Sequence, residues 1–114
     1  MKIERFEDII AWQKARELTL LIYQLFKNSK DYGFRDQIQR ASLSIMNNIA
    51  EGFERHTDKE LRCFLYIAKG SCGEVRSMLY IAKELRYLTA DQFDHLFRLS
   101  EDASKLLSGF IKTL

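Results

Sequence analysis

Residues 37–55 read QIQRASLSIMNNIAEGFER. Wound as a helix at roughly 100° per residue, they separate into two kinds of surface. Gln37, Arg40, Ser44, Asn47 and Glu51 fall in one sector about 80° wide, with Arg55 in line if the helix runs that far. Ile38, Ala41, Ile45, Ile49 and Phe53 lie on the other side. A helix with one hydrogen-bonding edge and one apolar edge needs neighbours to cover the apolar one. The rest of the chain supplies them.

The chain has 114 residues, no proline and five glycines; 46% of it is hydrophobic and 30% charged. One domain of that size buries a sizeable core, and the balance excludes a disordered chain. Lack of proline leans the chain towards helix. A net charge of +2 is too small by itself to imply a polyanionic partner, so the distribution of charge carries more. Cys63 and Cys72 would face nearly opposite ways on one helix and could not pair, which suits a reducing compartment. With no apolar run of about 18 residues and no leader pattern at the N-terminus, the expectation is a cytoplasmic protein without a membrane partner.

Working outward, the periodicity predicts a first helix from about Glu7 to Phe26. Its apolar residues, among them Ile9, Trp12, Leu18, Leu21, Ile22 and Phe26, spread over roughly 220° of the wheel, where a peripheral helix needs only about 100°. The excess fits a deeply packed helix or a second buried face between subunits. NSKDYG at Asn28–Gly33 reads as a turn, and the second helix follows from about Phe34 to Phe53. Thr57 to Glu60 reads as a capping box opening a third helix that reaches about Tyr87. Leu61, Phe64, Leu65, Ala68, Cys72, Val75, Leu79 and Ala82 keep their 3–4 spacing through Gly70-Ser71-Cys72-Gly73, which favours an unbroken helix, its small residues admitting a close neighbour. Thr89 to Gln92 is a second capping box, and Phe93, Leu96, Phe97, Ala103, Leu106, Leu107, Phe110 and Ile111 give the fourth helix its apolar face. The expected fold is all-α, an up-down-up-down four-helix bundle of one domain.

Catalytic signatures are missing from the sequence: there is no glycine-rich phosphate loop and no Ser-His-Asp or Cys-His pattern. His56 and His95 are isolated, with Asp91 four residues from His95 as a surface partner. Metal ligation in a bundle wants Glu-x-x-His pairs on two helices, which this chain lacks. The expectation is a non-enzyme with no cofactor and no metal.

Two polar features are left. Along the second helix, Arg40 and Glu51 are too far apart to pair, but Ser44, Asn47 and Asn48 lie between them and could relay a network. That stripe reads as a solvated face, as a network fixing helix register or subunit docking, or as a ligand site. Along the third helix, Arg62, Lys69, Arg76 and Lys83 recur every seven residues and form one slowly winding ridge, with Tyr66, Tyr80 and Tyr87 in or beside it. Cations interleaved with aromatic rings suit a nucleic-acid backbone with stacking on exposed bases; the alternative is a solvated face that serves solubility.

The stretch quoted first resembles the QIRRAxxSIxxNIAEGxxR signature of the four-helix bundle proteins encoded in intervening sequences of bacterial 23S ribosomal RNA genes. Phe6 to Ile9 and Trp12 match that family's opening, Tyr32-Gly33 its turn, and Phe64-Leu65, Ile67-Ala68, Gly70-Ser71 and Glu74 its third helix. The prolines that the family often carries after the first helix and after the SI of its signature are replaced here by Lys27-Asn28 and Met46, so the second helix is expected to be more regular. The resemblance implies the bundle and a homo-oligomer, since relatives look like ring-shaped pentamers. It also suggests a link to nucleic acid, because the similar accessory protein of diversity-generating retroelements works with a reverse transcriptase through a basic surface. The matched residues Gln37, Arg40, Ser44, Asn48, Glu51, Gly52 and Arg55 read mainly as structural, with Arg40 and Arg55 available for phosphate.

Together these observations lead to a cytoplasmic, non-enzymatic homo-oligomer, a pentamer by resemblance. It would bind structured RNA or DNA weakly through Arg62, Lys69, Arg76 and Lys83 with Tyr66 and Tyr80, and secondarily through Arg40 and Arg55. Asn47 joins Gln37, Ser44, Asn48, Glu51 and Gly52 as the structural motif. The alternative is a protein-interaction scaffold whose partner is another protein, for instance a polymerase.

Overall fold

The computed structural model describes residues 3–114. Four helices, α1 (Ile10–Phe26), α2 (Tyr32–Phe53), α3 (Asp58–Glu84) and α4 (Ala90–Lys112), follow a single 3-10 turn at Phe6–Asp8. At about 1.5 Å per residue the 27-residue α3 spans about 40 Å, close to the 42 Å long axis of the molecule. Backbones approach around the square α1–α2–α3–α4 and back to α1, and not across its diagonals. This is the expected up-down four-helix bundle.

Each helix presents one stripe to a common core. Ala15, Leu18, Ile22 and Phe26 from α1 meet Ile38, Ile45 and Ile49 from α2, Leu65, Cys72, Val75 and Leu79 from α3, and Leu96, Ala103 and Leu107 from α4. Burying each large aliphatic chain contributes about 1.5–3 kcal/mol, which is why 3–4 spacing dictates the fold. Buried hydroxyls are satisfied on helix carbonyls. Thr19 Oγ1 lies 2.7 Å from Ala15 O and 3.1 Å from Ser42 O, joining α1 to α2, and Ser42 and Ser100 donate to Gln39 O and Phe97 O.

Helix ends depart from the sequence expectation in four places. α1 begins at Ile10 and not near Glu7, because Ile9 is extended and the residues before it form the 3-10 turn. α2 takes in Tyr32 and Gly33: Asp31 is its N-cap, with Oδ1 accepting from the Phe34 amide. Thr57 caps α3 by accepting from the Glu60 amide, but the return bond from Glu60 is not made, whereas the Thr89–Gln92 box closes in both directions. α3 stops at Glu84 rather than Tyr87. There Arg86 turns left-handed (φ 62°), its amide donates to Lys83 O, and the Tyr87 amide donates to Ala82 O. Tyr87 Oη then donates to Asp31 Oδ2 at 2.7 Å, tying the α3–α4 loop to the start of α2 and raising the phenol's pKa. Gly70 and Gly73 do not interrupt α3.

Candidate functional site: the basic side of α3

Seen from α2, the polar stripe resolves into two groups. Ser71 of α3 donates to Ser44 Oγ at 2.9 Å, and Asn48 Nδ2 donates to the same oxygen at 3.0 Å and to Ser44 O at 2.7 Å. Gln37 Nε2 donates to Glu74 of α3. One turn beyond Asn48, Gly52 is buried so tightly that a Cβ on it would stand 2.6 Å from Phe64 Cβ and 3.1 Å from Leu61 Cδ1. Only glycine lets the helices approach this closely. Gln37, Ser44, Asn48 and Gly52 therefore form a seam that sets the α2–α3 register.

The other members do not join that seam. Glu51 pairs with Arg55 at 2.8 Å, and the Arg55 guanidinium also lies 4.8 Å over the Phe64 ring. The relay expected between Arg40 and Glu51 does not form. Arg40 and Asn47 are exposed, and Arg40 lines a shallow recess with Tyr23, Asp36, Gln39 and Leu43 beside α1, away from α3's cations. Arg55, just past the end of α2, is held by Glu51 and the Phe64 ring, so neither secondary arginine extends the ridge.

The four spaced cations of α3 lie along its groove with α4. Arg62 Nη2 donates to the carbonyl of Leu114 at 2.6 Å. Lys69 shares a cleft with Tyr66, Ser108, Ile111 and Lys112. The Lys83 ammonium sits 4.6 Å over the Phe93 ring. These pairings run antiparallel, so the register carries Arg76 level with the middle of α4. Its Nη1 is enclosed without a hydrogen-bond partner, and its Nη2 is 3.8 Å from where a Cβ on Gly73 would stand. Between the cations, Tyr66 and Tyr80 stay 57% and 54% exposed. Tyr80 packs its edge on Phe97 with centroids 5.2 Å apart, and on Phe93 at 5.6 Å. Tyr87 is committed to Asp31 and does not belong to the ridge.

Electrostatics separate this side from the rest. The ion pairs of the described residues join Arg5 to Glu7, Arg35 to Asp36 and Arg55 to Glu51, and none holds Lys69, Arg76 or Lys83. Cys72, in the core beneath them, has its thiol pushed up to about 11 by burial, with Arg76 and Lys69 pulling the other way. Cys63 is exposed and Cys72 buried, both as free thiols. Among the described residues there is no cluster of three or more metal-ligating side chains, and His95 is in no ion pair. Among the described residues, no helix is long and apolar enough to cross a membrane.

Sequence reasoning missed Lys112, Ser108 and the chain's last carbonyl as neighbours of the ridge. They approach α3 only through the α3–α4 register, which no local pattern reveals.

Comparison with known proteins agrees with the geometry. A crystal structure of a protein of unknown function from the S23 ribosomal protein family of Bacteroides thetaiotaomicron VPI-5482 superposes with a TM-score of 0.83 at 25% identity, covering 90% of this chain and 96% of that one. No curated protein matches. The family model described as 23S rRNA-intervening sequence protein matches residues 7–109. With that match spanning most of the four helices, the chain belongs to the 23S rRNA-intervening sequence protein family.

Proposed function

We propose that this chain is a non-catalytic, self-associating bundle that binds structured RNA or DNA, weakly and with little sequence preference, through the α3 side of its α3–α4 groove. The observation that carries this reading is the set of cations free of carboxylate partners among the described residues, Lys69, Arg76 and Lys83, spaced along one face with Tyr80 exposed between the last two and Tyr66 exposed one turn before the first. Phosphates neutralised by such cations release counterions, and exposed rings stack on bases regardless of sequence.

Self-association is supported by two apolar surfaces that one chain leaves uncovered. Ile10, Leu20 and Tyr23 stand out from α1, and Ile67, Ile81 and Leu85 from α3. α1 and α3 are diagonal in the bundle, so one chain does not cover one of these surfaces with the other. A second copy laying its α1 against this α3 makes a head-to-tail contact, which closes into a ring when the rotation allows, a pentamer being the ring that the sequence resemblance implies. A ring would repeat each modest basic face several times, multiplying its avidity.

The test is a salt titration of a labelled RNA hairpin with wild type and an Arg76→Gln/Lys83→Glu variant. The expected result is binding that weakens steeply with salt, by a slope of about −0.9 per neutralised phosphate on duplex, and a shallower slope in the variant at unchanged helicity. Equal binding by the variant, or none at low salt, overturns the reading. A scaffold for another protein then becomes the better account, favoured by the same exposed Ile67, Ile81 and Leu85. Light scattering at micromolar concentration tests self-association, and a sharp monomer mass refutes it.

A further inference from the structure

The cleft at the C-terminal end of α4 is a site of its own. Tyr66 and Lys69 of α3 and Ser108, Ile111 and Lys112 of α4 line a half-open cleft of about 220 Å³, several times the ~30 Å³ share of one water. Two lysines from different helices line one cleft, two hydroxyl-bearing residues share it, and no lining residue is acidic. Neither lysine is held in an ion pair among the described residues. An anion in the cleft is drawn to both lysines, with no carboxylate in the lining to oppose it. The end of a helix carries about half a negative charge, which works against an anion there. Two full positive charges outweigh it, and Arg62, one turn before Tyr66, already takes up the Leu114 carbonyl at the same end. The pull that Lys69 exerts on the Cys72 thiol agrees with a local positive potential.

We propose that this cleft binds a phosphoryl group, with Lys69 and Lys112 holding its charge and the Tyr66 and Ser108 hydroxyls donating to its remaining oxygens. Donors on two walls suit a tetrahedral oxyanion better than a planar carboxylate. The inference deepens the nucleic-acid reading by naming where a phosphate sits, and rests on that reading only for the polymer that carries it. The phosphoryl group is either a terminal monoester or an internal diester, and both share this chemistry.

An amide-resolved NMR titration with inorganic phosphate at constant ionic strength, with acetate as the planar control, tests it. Wild type should show saturable shifts centred on Tyr66, Lys69, Ser108 and Lys112. Lys69→Gln or Lys112→Gln should each weaken binding about tenfold, the loss of one charge-assisted hydrogen bond, and both variants should keep the spectrum of a folded bundle. Shifts that acetate reproduces, or that survive in the double variant, overturn the site. A short RNA hairpin with and without a 5′-phosphate then separates the sources: a response confined to the phosphorylated form identifies a monoester, and equal responses identify the backbone diester. Phosphate binding without hairpin binding keeps the site and removes the nucleic-acid reading. Hairpin binding that Arg76→Gln/Lys83→Glu weakens and Lys69→Gln/Lys112→Gln does not touch overturns the cleft as the phosphate site of the polymer and narrows that reading to Arg76 and Lys83.

Discussion

Where α3 meets α2, Ser71 donates to Ser44, Gln37 donates to Glu74, and a Cβ on Gly52 would collide with Phe64. Next to that seam, on the outward side of the same helix, a Cβ on Gly70 would meet nothing within 4 Å, while Ile67 and Ile81, and Leu85 just past the helix end, stand exposed. Both sides contain small residues in a helix, where glycine costs about 1 kcal/mol against alanine. On the α2 side the cost has a reason inside the chain. On the outward side it has none, and Arg86 repeats the pattern by occupying the left-handed position that ends α3, where glycine is cheaper. The single chain gives a reason for the inward half of α3 and none for its outward half.

Gly52→Ala is the strongest way to break that contrast. The atom in its way is Phe64 Cβ, rooted to the backbone and unable to swing aside. Overpacking of this kind costs about 1–3 kcal/mol, and the roughly 1 kcal/mol gained in helix propensity offsets only part of it. A loss of about 2 kcal/mol in urea unfolding is expected. A neutral result would mean that α2 and α3 part easily and that the seam does not set register.

Ser44→Ala sharpens the same side. It removes the acceptor for Ser71 and one of the two for Asn48, which keeps the Ser44 carbonyl, in a part-buried setting. Donors left unsatisfied cost about 1–3 kcal/mol, at the low end where water reaches them, so a loss near 1 kcal/mol is expected. A double-mutant cycle with Ser71→Ala should show coupling, since each residue loses the same bond; additive losses would mean that the bond contributes nothing.

How much of this was legible in the sequence follows from what a helical wheel knows. Phase within one helix is local, so the four helices, their core stripes and the unbroken passage through Gly70 and Gly73 were all readable. The position of a neighbour is not local. The wheel put Arg40 and Asn47 in the same sector as Ser44, but α3 approaches on the Gly52 side of that sector, which takes in Asn48 and leaves Arg40 and Asn47 outside. Gly33 suggested a turn, while the Asp31 carboxylate was capping the helix two residues earlier. The seven-residue ridge was visible as a pattern. That Arg62 would be spent on the Leu114 carbonyl and that Lys69 would share a cleft with Lys112 depended on the α3–α4 register, which appears only once the chain is folded.

Turning to the outward half, Arg86→Gly should stabilise the protein by about 1 kcal/mol. A non-glycine residue at φ 62° is strained by roughly 1–2 kcal/mol, and the Schellman bonds to Lys83 and Ala82 are backbone bonds that glycine keeps. If the same change also weakens RNA binding, the strain is held in exchange for a cation at the end of the ridge. If binding is untouched, Arg86 has no part in the contact and the ridge ends at Lys83.

Gly70→Ala has the smallest expected effect and separates the two halves most directly. With open space around it, an added methyl meets no atom of its own chain, so the variant should gain roughly 0.5–1 kcal/mol from helix propensity alone. That gain is to be read on dilute protein, where any assembly has dissociated. At higher concentration, the longer side chain of Gly70→Gln holds a neighbouring helix further off while favouring helix as well. A fall in assembly mass with intact helicity would place the second copy on the face formed by Ile67, Gly70 and Ile81. Unchanged mass would move the contact away from α3 and leave Gly70 as a cost that neither the chain nor its assembly explains.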